Sequence, residues 1–296
     1  MNEEMLLAIA LPFFLTTVIL EYVFLKKRPN VVGHTLKDTV ASLTMGVGFL
    51  GWDFLVKGFT VAAYAFAYEF RVVEMGDSFL SYAVLFIALD FFYYWYHRTH
   101  HEIRILWAAH VNHHSSQHYN LSTALRQSWS SVFSHWIFML PLAAAGWRPD
   151  QILLMGLLNL VYQYWIHTEA VDKMGWLEWI LMTPSHHRVH HGSNAHYLDK
   201  NYGGLLIIWD RMFGTFQEED VPVSYGLTKN IESYNPIVIA YHEHAAILKD
   251  LWFAKTFRDG VRAFFASPAS LAEEPIKYRD THPHSAKATS QRQISP

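Results

Sequence analysis

FLSYAVLFIALDFFYYWYHRTHH, residues 79–101, carries the deciding pattern: an apolar run that ends directly in a histidine cluster. From Phe79 to Tyr96 the only charge is Asp90, and a helix needs roughly 20 apolar residues to cross a hydrocarbon core about 30 Å thick. The run closes with Phe91, Phe92, Tyr93, Tyr94, Trp95 and Tyr96, aromatic as expected where a helix leaves a membrane. His97 and His101 follow at i, i+4, which puts both imidazoles on one helical face. The first expectation is therefore a membrane helix that presents histidines at its own mouth.

Similar apolar blocks flank this one. Met5–Leu25 is closed by Lys26, Lys27 and Arg28. Its acidic leader, its length and the lack of a small-residue cleavage site argue for a retained anchor over a signal peptide. Thr39–Phe66 is interrupted by Gly46, Gly48 and Gly51, predicting one long tilted helix or a broken pair. Trp129–Trp147 and Ile152–Ile166 are parted only by Arg148, Pro149 and Asp150, as in a tight helical hairpin. Together the blocks predict an all-α, multi-pass membrane bundle of about four to six spans. The bases Lys26, Lys27, Arg28 and Lys37 place the first loop in the cytoplasm. Counting crossings from there brings every histidine-rich stretch to the same side, as a cytosolic cap.

The remaining segments read differently. Trp176 to Met182 is apolar and aromatic but too short to span, and is expected in the interface plane. Ser267 to Pro296 is polar, with little to bury, and is expected to be a disordered tail. The chain thus divides into an anchor (1–30), a catalytic domain (31–240), an amphipathic segment (241–266) and the tail (267–296). No internal repeat is visible.

Composition narrows the chemistry. Charged residues make up 17% of the 296, against about 25% for a soluble domain. The net charge of -3 gives no electrostatic case for nucleic acid. Cysteine is absent, so any metal must be held by nitrogen and oxygen. Histidine is abundant at nineteen copies, most of them clustered.

Beyond His97 and His101, the clusters are His110-Val111-Asn112-His113-His114 and His187-Arg188-Val189-His190-His191, with His167 alone at the end of an apolar block. A structural zinc is satisfied by four ligands, and these stretches supply about twice that number. A dinuclear centre fits the surplus. One such pattern could arise by chance; two copies on one membrane face, with the His97 pair and His167, argue for ligands. Imidazole suits zinc, iron, copper and nickel alike, but only a redox metal explains an oxidising site that faces lipid. Asp90 lies seven residues before His97 on the same face, either accepting a hydrogen bond that orients an imidazole or packing helices together. His100, His118, His186 and His196 are candidates for the same outer role, for substrate contact or for neither. His135 reads as a core residue, and His34, His242, His244, His282 and His284 as solvent-facing or tail residues. Tyr93, Trp95 and Tyr96 either wall an apolar channel or form an interfacial belt.

The histidine pattern, with Tyr94-Trp95-Tyr96-His97-Arg98, Asn120-Leu121-Ser122-Thr123-Ala124-Leu125-Arg126-Gln127-Ser128, Asp199-Lys200-Asn201-Tyr202-Gly203-Gly204 and Ile208-Trp209-Asp210-Arg211-Met212-Phe213-Gly214-Thr215-Phe216, resembles the fatty acid hydroxylase and sterol desaturase superfamily. Within it, the likeness is to the alkylglycerol monooxygenase-like branch, and it covers about residues 35 to 240. The resemblance implies a non-haem di-iron centre that uses O2 to hydroxylate or desaturate a lipid C–H bond. It implies His97, His101, His110, His113, His114, His167, His187, His190 and His191 as ligands, with Gln163 and Asn194 beside them. Lacking nucleotide-binding and haem motifs, the chain would draw electrons from outside, from a pterin or a separate electron-transfer protein. The rival readings are a membrane zinc hydrolase, which would want H-E-x-x-H, and a membrane protein that keeps its metal for folding. Neither the oligomeric state nor the lipid is legible.

Overall fold

The computed structural model describes residues 3–279, with side chains from Pro12 onward. Helices α1 (Glu3–Leu25), α2 (Leu36–Glu69) and α3 (Phe79–Glu102) come first, followed by the short α4 (Arg104–Ala108), α5 (Val111–His114) and α6 (Leu121–Ala124). The hairpin is α7 (His135–Ala145) and α8 (Pro149–Trp165), and α9 (Pro184–His190) and α10 (Ile208–Phe213) follow. The chain closes on α11 (Pro236–Phe253), α12 (Phe257–Phe265) and α13 (Pro268–Glu273). Among the described residues no strand forms; three isolated bridges are the only β pairing.

Of these, α2 and α3 are long and apolar enough to cross a membrane. Large apolar side chains stand exposed along α2, Phe54 at 78% and Leu55 at 71%, a surface that suits lipid better than water. The glycines of α2 do not break it. Gly46 and Gly48 admit a crossing segment instead: a Cβ on Gly46 would lie 2.8 Å from the Leu125 carbonyl oxygen, and one on Gly48 would run into the Trp129 ring. The fourth apolar block is shorter as a helix than the sequence suggested. Ser128, Ser130, Ser131 and Ser134 turn the chain through a 3-10 segment, Ser131–Phe133, before α7 starts. At eleven residues and 1.5 Å per residue, α7 covers only about half of a 30 Å core.

Tyr64, Leu85, Leu89, Met139, Leu142, Ile152 and Met155 form the core between α2, α3, α7 and α8. The α2–α3 and α7–α8 turns meet at one end. There Val72 N donates to Ala144 O at 2.9 Å, and Arg148 pairs with Asp77 at 2.8 Å. The histidines occupy the opposite ends of α3 and α8.

The first helix is tied into this body. Buried Glu21 accepts from Leu121 N at 2.7 Å and from the Thr168 hydroxyl, and His34 Nε2 lies 3.0 Å from it. His34 is thus not solvent-facing: a buried carboxylate needs partners, and it is one. At the other end of the chain, buried Arg104 donates to Glu243 at 2.7 Å and Asp250 at 2.6 Å on α11 and to Ala263 O at 3.2 Å on α12, holding both helices on α4. The expected tail begins as the helix α13, and Tyr278 donates to Asp250 at 2.6 Å. The rest of that expectation, with His282 and His284, lies outside the described residues.

Candidate metal centre

Three short pieces of helix converge at the histidine end. The last turn of α3 brings His97 and His101. His110 stands at the start of α5, which carries His113 and His114. On α9 the same spacing aims His187 and His190 inward, with His191 as its cap. His167 follows α8. All nine resemblance-implied histidines fall into two groups of potential ligand atoms, each within 4.8 Å of one another: His97, His101, His110, His114 and His190, and His113, His167, His187 and His191. Both H-x-x-H-H runs are shared between the groups, so neither group can form without α5 and α9.

The Nε2 atoms face one another. His97 and His114 Nε2 each lie 3.0 Å from His110 Nε2. In the second group, His167 Nε2 is 3.1 Å from His113 Nε2 and 3.0 Å from His187 Nε2. Metal–nitrogen bonds of about 2.0–2.1 Å, the length zinc takes, would set ligand atoms about 3.0–3.4 Å apart, so these separations fit a shared ion. Buried Nε2 atoms of His101, His190 and His191 have no hydrogen-bond partner, a costly state for imidazoles without one. The donor set therefore fits two metal ions.

Electrostatics point the same way. Burial, reinforced by neighbouring imidazoles, pushes His110, His113, His114, His187, His190 and His191 far below the ordinary imidazole range. Burial brings His167 down to about 4. Neutral imidazole is the form that binds metal.

The rings are oriented from behind. His97 Nδ1 donates to Tyr202 O at 2.8 Å, His190 Nδ1 to Lys200 O at 2.9 Å, and His167 Nδ1 to Gln163 O at 2.7 Å, the kind of backing that fixes a ligand's tautomer. The first two carbonyls belong to one loop, 199–206, which buried carboxylates hold in place. Asp210 accepts from Tyr202 N at 2.7 Å and Gly203 N at 2.8 Å, and burial raises its carboxyl to about 6. Asp90 accepts from Leu205 N at 2.7 Å, Leu206 N at 3.0 Å, Trp209 Nε1 at 2.9 Å and Asn159 Nδ2 at 2.9 Å. It thus orients an imidazole at one remove, through the loop. Gly204 is required where this loop enters between helices, since a Cβ there would sit 2.8 Å from the Tyr93 ring and 2.9 Å from Asp90 Oδ1.

Gln163 is beside the site; its side chain accepts from Tyr93 at 2.7 Å and donates to Asn159 at 2.5 Å. The other outer candidates stand apart. His100 turns to Tyr96 O and Ser134. His186 packs on Phe216 at 5.5 Å. Asn194 ties Pro222 O to Ser224 N, and His196 pairs with Asp220 at the surface.

A fatty acid hydroxylase family model matches residues 82–215, a span that contains all nine histidines. That span is similar to the fatty acid hydroxylase family. The chain is 42% identical to alkylglycerol monooxygenase of Homo sapiens over 265 residues, 88% of this chain and 58% of that protein. With alkylglycerol monooxygenase of Danio rerio the identity is 39%, over 90% of this chain and 60% of the relative. An ornithine lipid hydroxylase of Rhizobium tropici is 30% identical over 66% of this chain and 59% of its own. The chain therefore spans less than two thirds of the length of these relatives. No solved structure is significantly similar to it. Within the matched span, Asn159, Gly204, Trp209 and Asp210 support the histidine-backing loop, and residue-by-residue reading missed them. The signal was present in the Tyr202-Gly203-Gly204 and Ile208–Phe216 runs, which spacing alone does not connect to a histidine.

Proposed function

We propose that this chain is a multi-pass membrane oxygenase that holds one iron in each histidine group, on the cytoplasmic side, and hydroxylates a C–H bond of a lipid using O2 and an external reductant. The observation that carries the reading is the division of nine buried imidazoles into two facing groups. Nine nitrogen donors exceed one closed zinc site. When bound, the iron pair supplies activation of O2 and removal of hydrogen from an unactivated C–H bond. His97, His101, His110, His114 and His190 would hold one ion, and His113, His167, His187 and His191 the other. The chain's own contribution is geometric. Carbonyls of Tyr202, Lys200 and Gln163 fix ring orientation, and the burial of all nine histidines keeps bulk water from the centre.

The lipid would reach the centre from the bilayer between the helices, past the aromatic end of α3. The relatives' names make a glycerol ether lipid the first substrate class to assay and an ornithine lipid the next, with free fatty acids and sterols after them. The reductant would be a pterin or a separate electron-transfer protein. The test is O2-dependent oxidation of these lipids by protein reconstituted in vesicles, with His114→Ala and His190→Ala as controls. Product from the native chain and none from either variant is expected. Full activity in both variants would sink the proposal.

A further inference from the structure

One pair of aromatics packs on the histidine rings and makes no hydrogen bond to them. Tyr119 is fully buried. Its ring lies 5.7 Å from His167 at an interplanar angle of 27°, and 5.1 Å from His191. On its other side Tyr225 stacks at 5.1 Å and 9°. Offset parallel rings at this spacing are in close π contact. Tyr225 is only partly buried and sits between the exposed Ser224 and a bridge to Gly192. Two stacked rings thus join the second histidine group to the protein surface. The first group has no such stacked pair. Partly exposed Trp107 lies 4.9 Å from His101 and 5.6 Å from His114 but is tilted to both, at 50° and 40°, and Tyr202, 5.2 Å from His101, meets Tyr94 edge-on at 6.2 Å and 73°.

From this geometry we infer that Tyr119 and Tyr225 form the route by which electrons from an external one-electron donor reach the ion held by His113, His167, His187 and His191. The inference rests on the redox metal reading above. Electron tunnelling weakens exponentially with through-space gaps, and stacked π systems shorten them. The step balances simply: the donor loses one electron, the ferric ion gains it, and no bond is made or broken. Tyr119 acts as a bridge and keeps its proton, because its hydroxyl donates at 2.8 Å to the Ile166 carbonyl, an amide oxygen too weakly basic to take it. The pair are positioning residues for electron entry; neither needs to touch substrate.

The absence of cysteine makes the test clean, since one introduced thiol gives one labelling site. Ser224→Cys carries a ruthenium photosensitiser beside Tyr225, and Met212→Cys, 64% exposed, carries it on the side of the first group. Iron-loaded full chain is flashed, and reduction of the iron is followed by absorbance. From position 224, Tyr119→Leu should slow electron uptake about tenfold, equivalent to ~1.4 kcal/mol on the rate scale. Tyr119→Phe keeps the ring and should stay near the native rate. Uptake from position 212 should not change. Tyr225→Leu, further from the histidines, should reproduce the slowing if Tyr119→Leu fails to load iron. Native rates in both leucine variants would overturn the route while leaving the metal reading intact. No uptake from either position in the native chain would overturn both.

Discussion

The two histidine groups share α5 and α9 but differ in what stands behind them. The group of five takes His97 and His101 from α3, and its rings are backed by carbonyls of the 199–206 loop, itself held by Asp90 and Asp210. The group of four takes His167, whose ring is backed by the carbonyl of Gln163 one turn earlier. One site is thus oriented by tertiary structure distant in sequence, the other by local helix geometry. Damage to the loop should therefore fall on the first group, and damage to the end of α8 on the second.

Single-ligand variants should expose the division most strongly. His97→Ala and His167→Ala should each abolish turnover, yet each should retain iron in the intact group, with different optical spectra. Loss of all metal from both variants would show that the groups fill only as a unit. Next in size is Asp90→Ala, which strips the acceptor from four donors. Each buried donor left unpaired costs about 1–3 kcal/mol, so thermal stability should fall and iron should leave the first group before the second. Equal loss from both groups would break the distinction. Trp209→Phe removes one hydrogen bond to the same carboxylate and should cost about 1.5–3 kcal/mol, measurable as a lower unfolding midpoint with iron in the second group unchanged.

A last effect concerns pH. In the folded apoprotein His167 takes a proton only near 4, against an ordinary value of 6.5. Between those values the unfolded chain binds protons that the folded chain does not, so apoprotein stability should fall as pH drops from about 6.5 toward 4 and stay level above it. His110, His113, His114, His187, His190 and His191, also held neutral by burial, act with the same sign. An unfolding midpoint that rises on acidification would contradict this.

How much of this was readable beforehand follows the range of the interactions. The spacing of His97 and His101 and of the two H-x-x-H-H runs is local, and it announced clustered imidazoles directly. The helical, apolar character of α2 and α3 was equally plain. What the sequence hid was pairing across the fold. Nothing in the spacing of His110, His113 and His114 says that the middle one joins a different group from its neighbours. Asp90 stayed open between orienting an imidazole and packing helices, because two of its partners, Leu205 and Trp209, are more than a hundred residues away. His34 looked exposed because Glu21 lies on another helix. The serines before α7 were legible as turn formers, yet the apolar run around them outweighed them, and the helix was drawn too long.

The central claim, two irons in two histidine groups, is tested most directly by the iron-to-protein ratio of anaerobically purified chain, combined with Mössbauer spectroscopy on 57Fe-loaded protein. The account predicts two irons per chain in two distinct nitrogen-rich environments. A single iron per chain, or tightly held zinc that iron cannot replace, would contradict it.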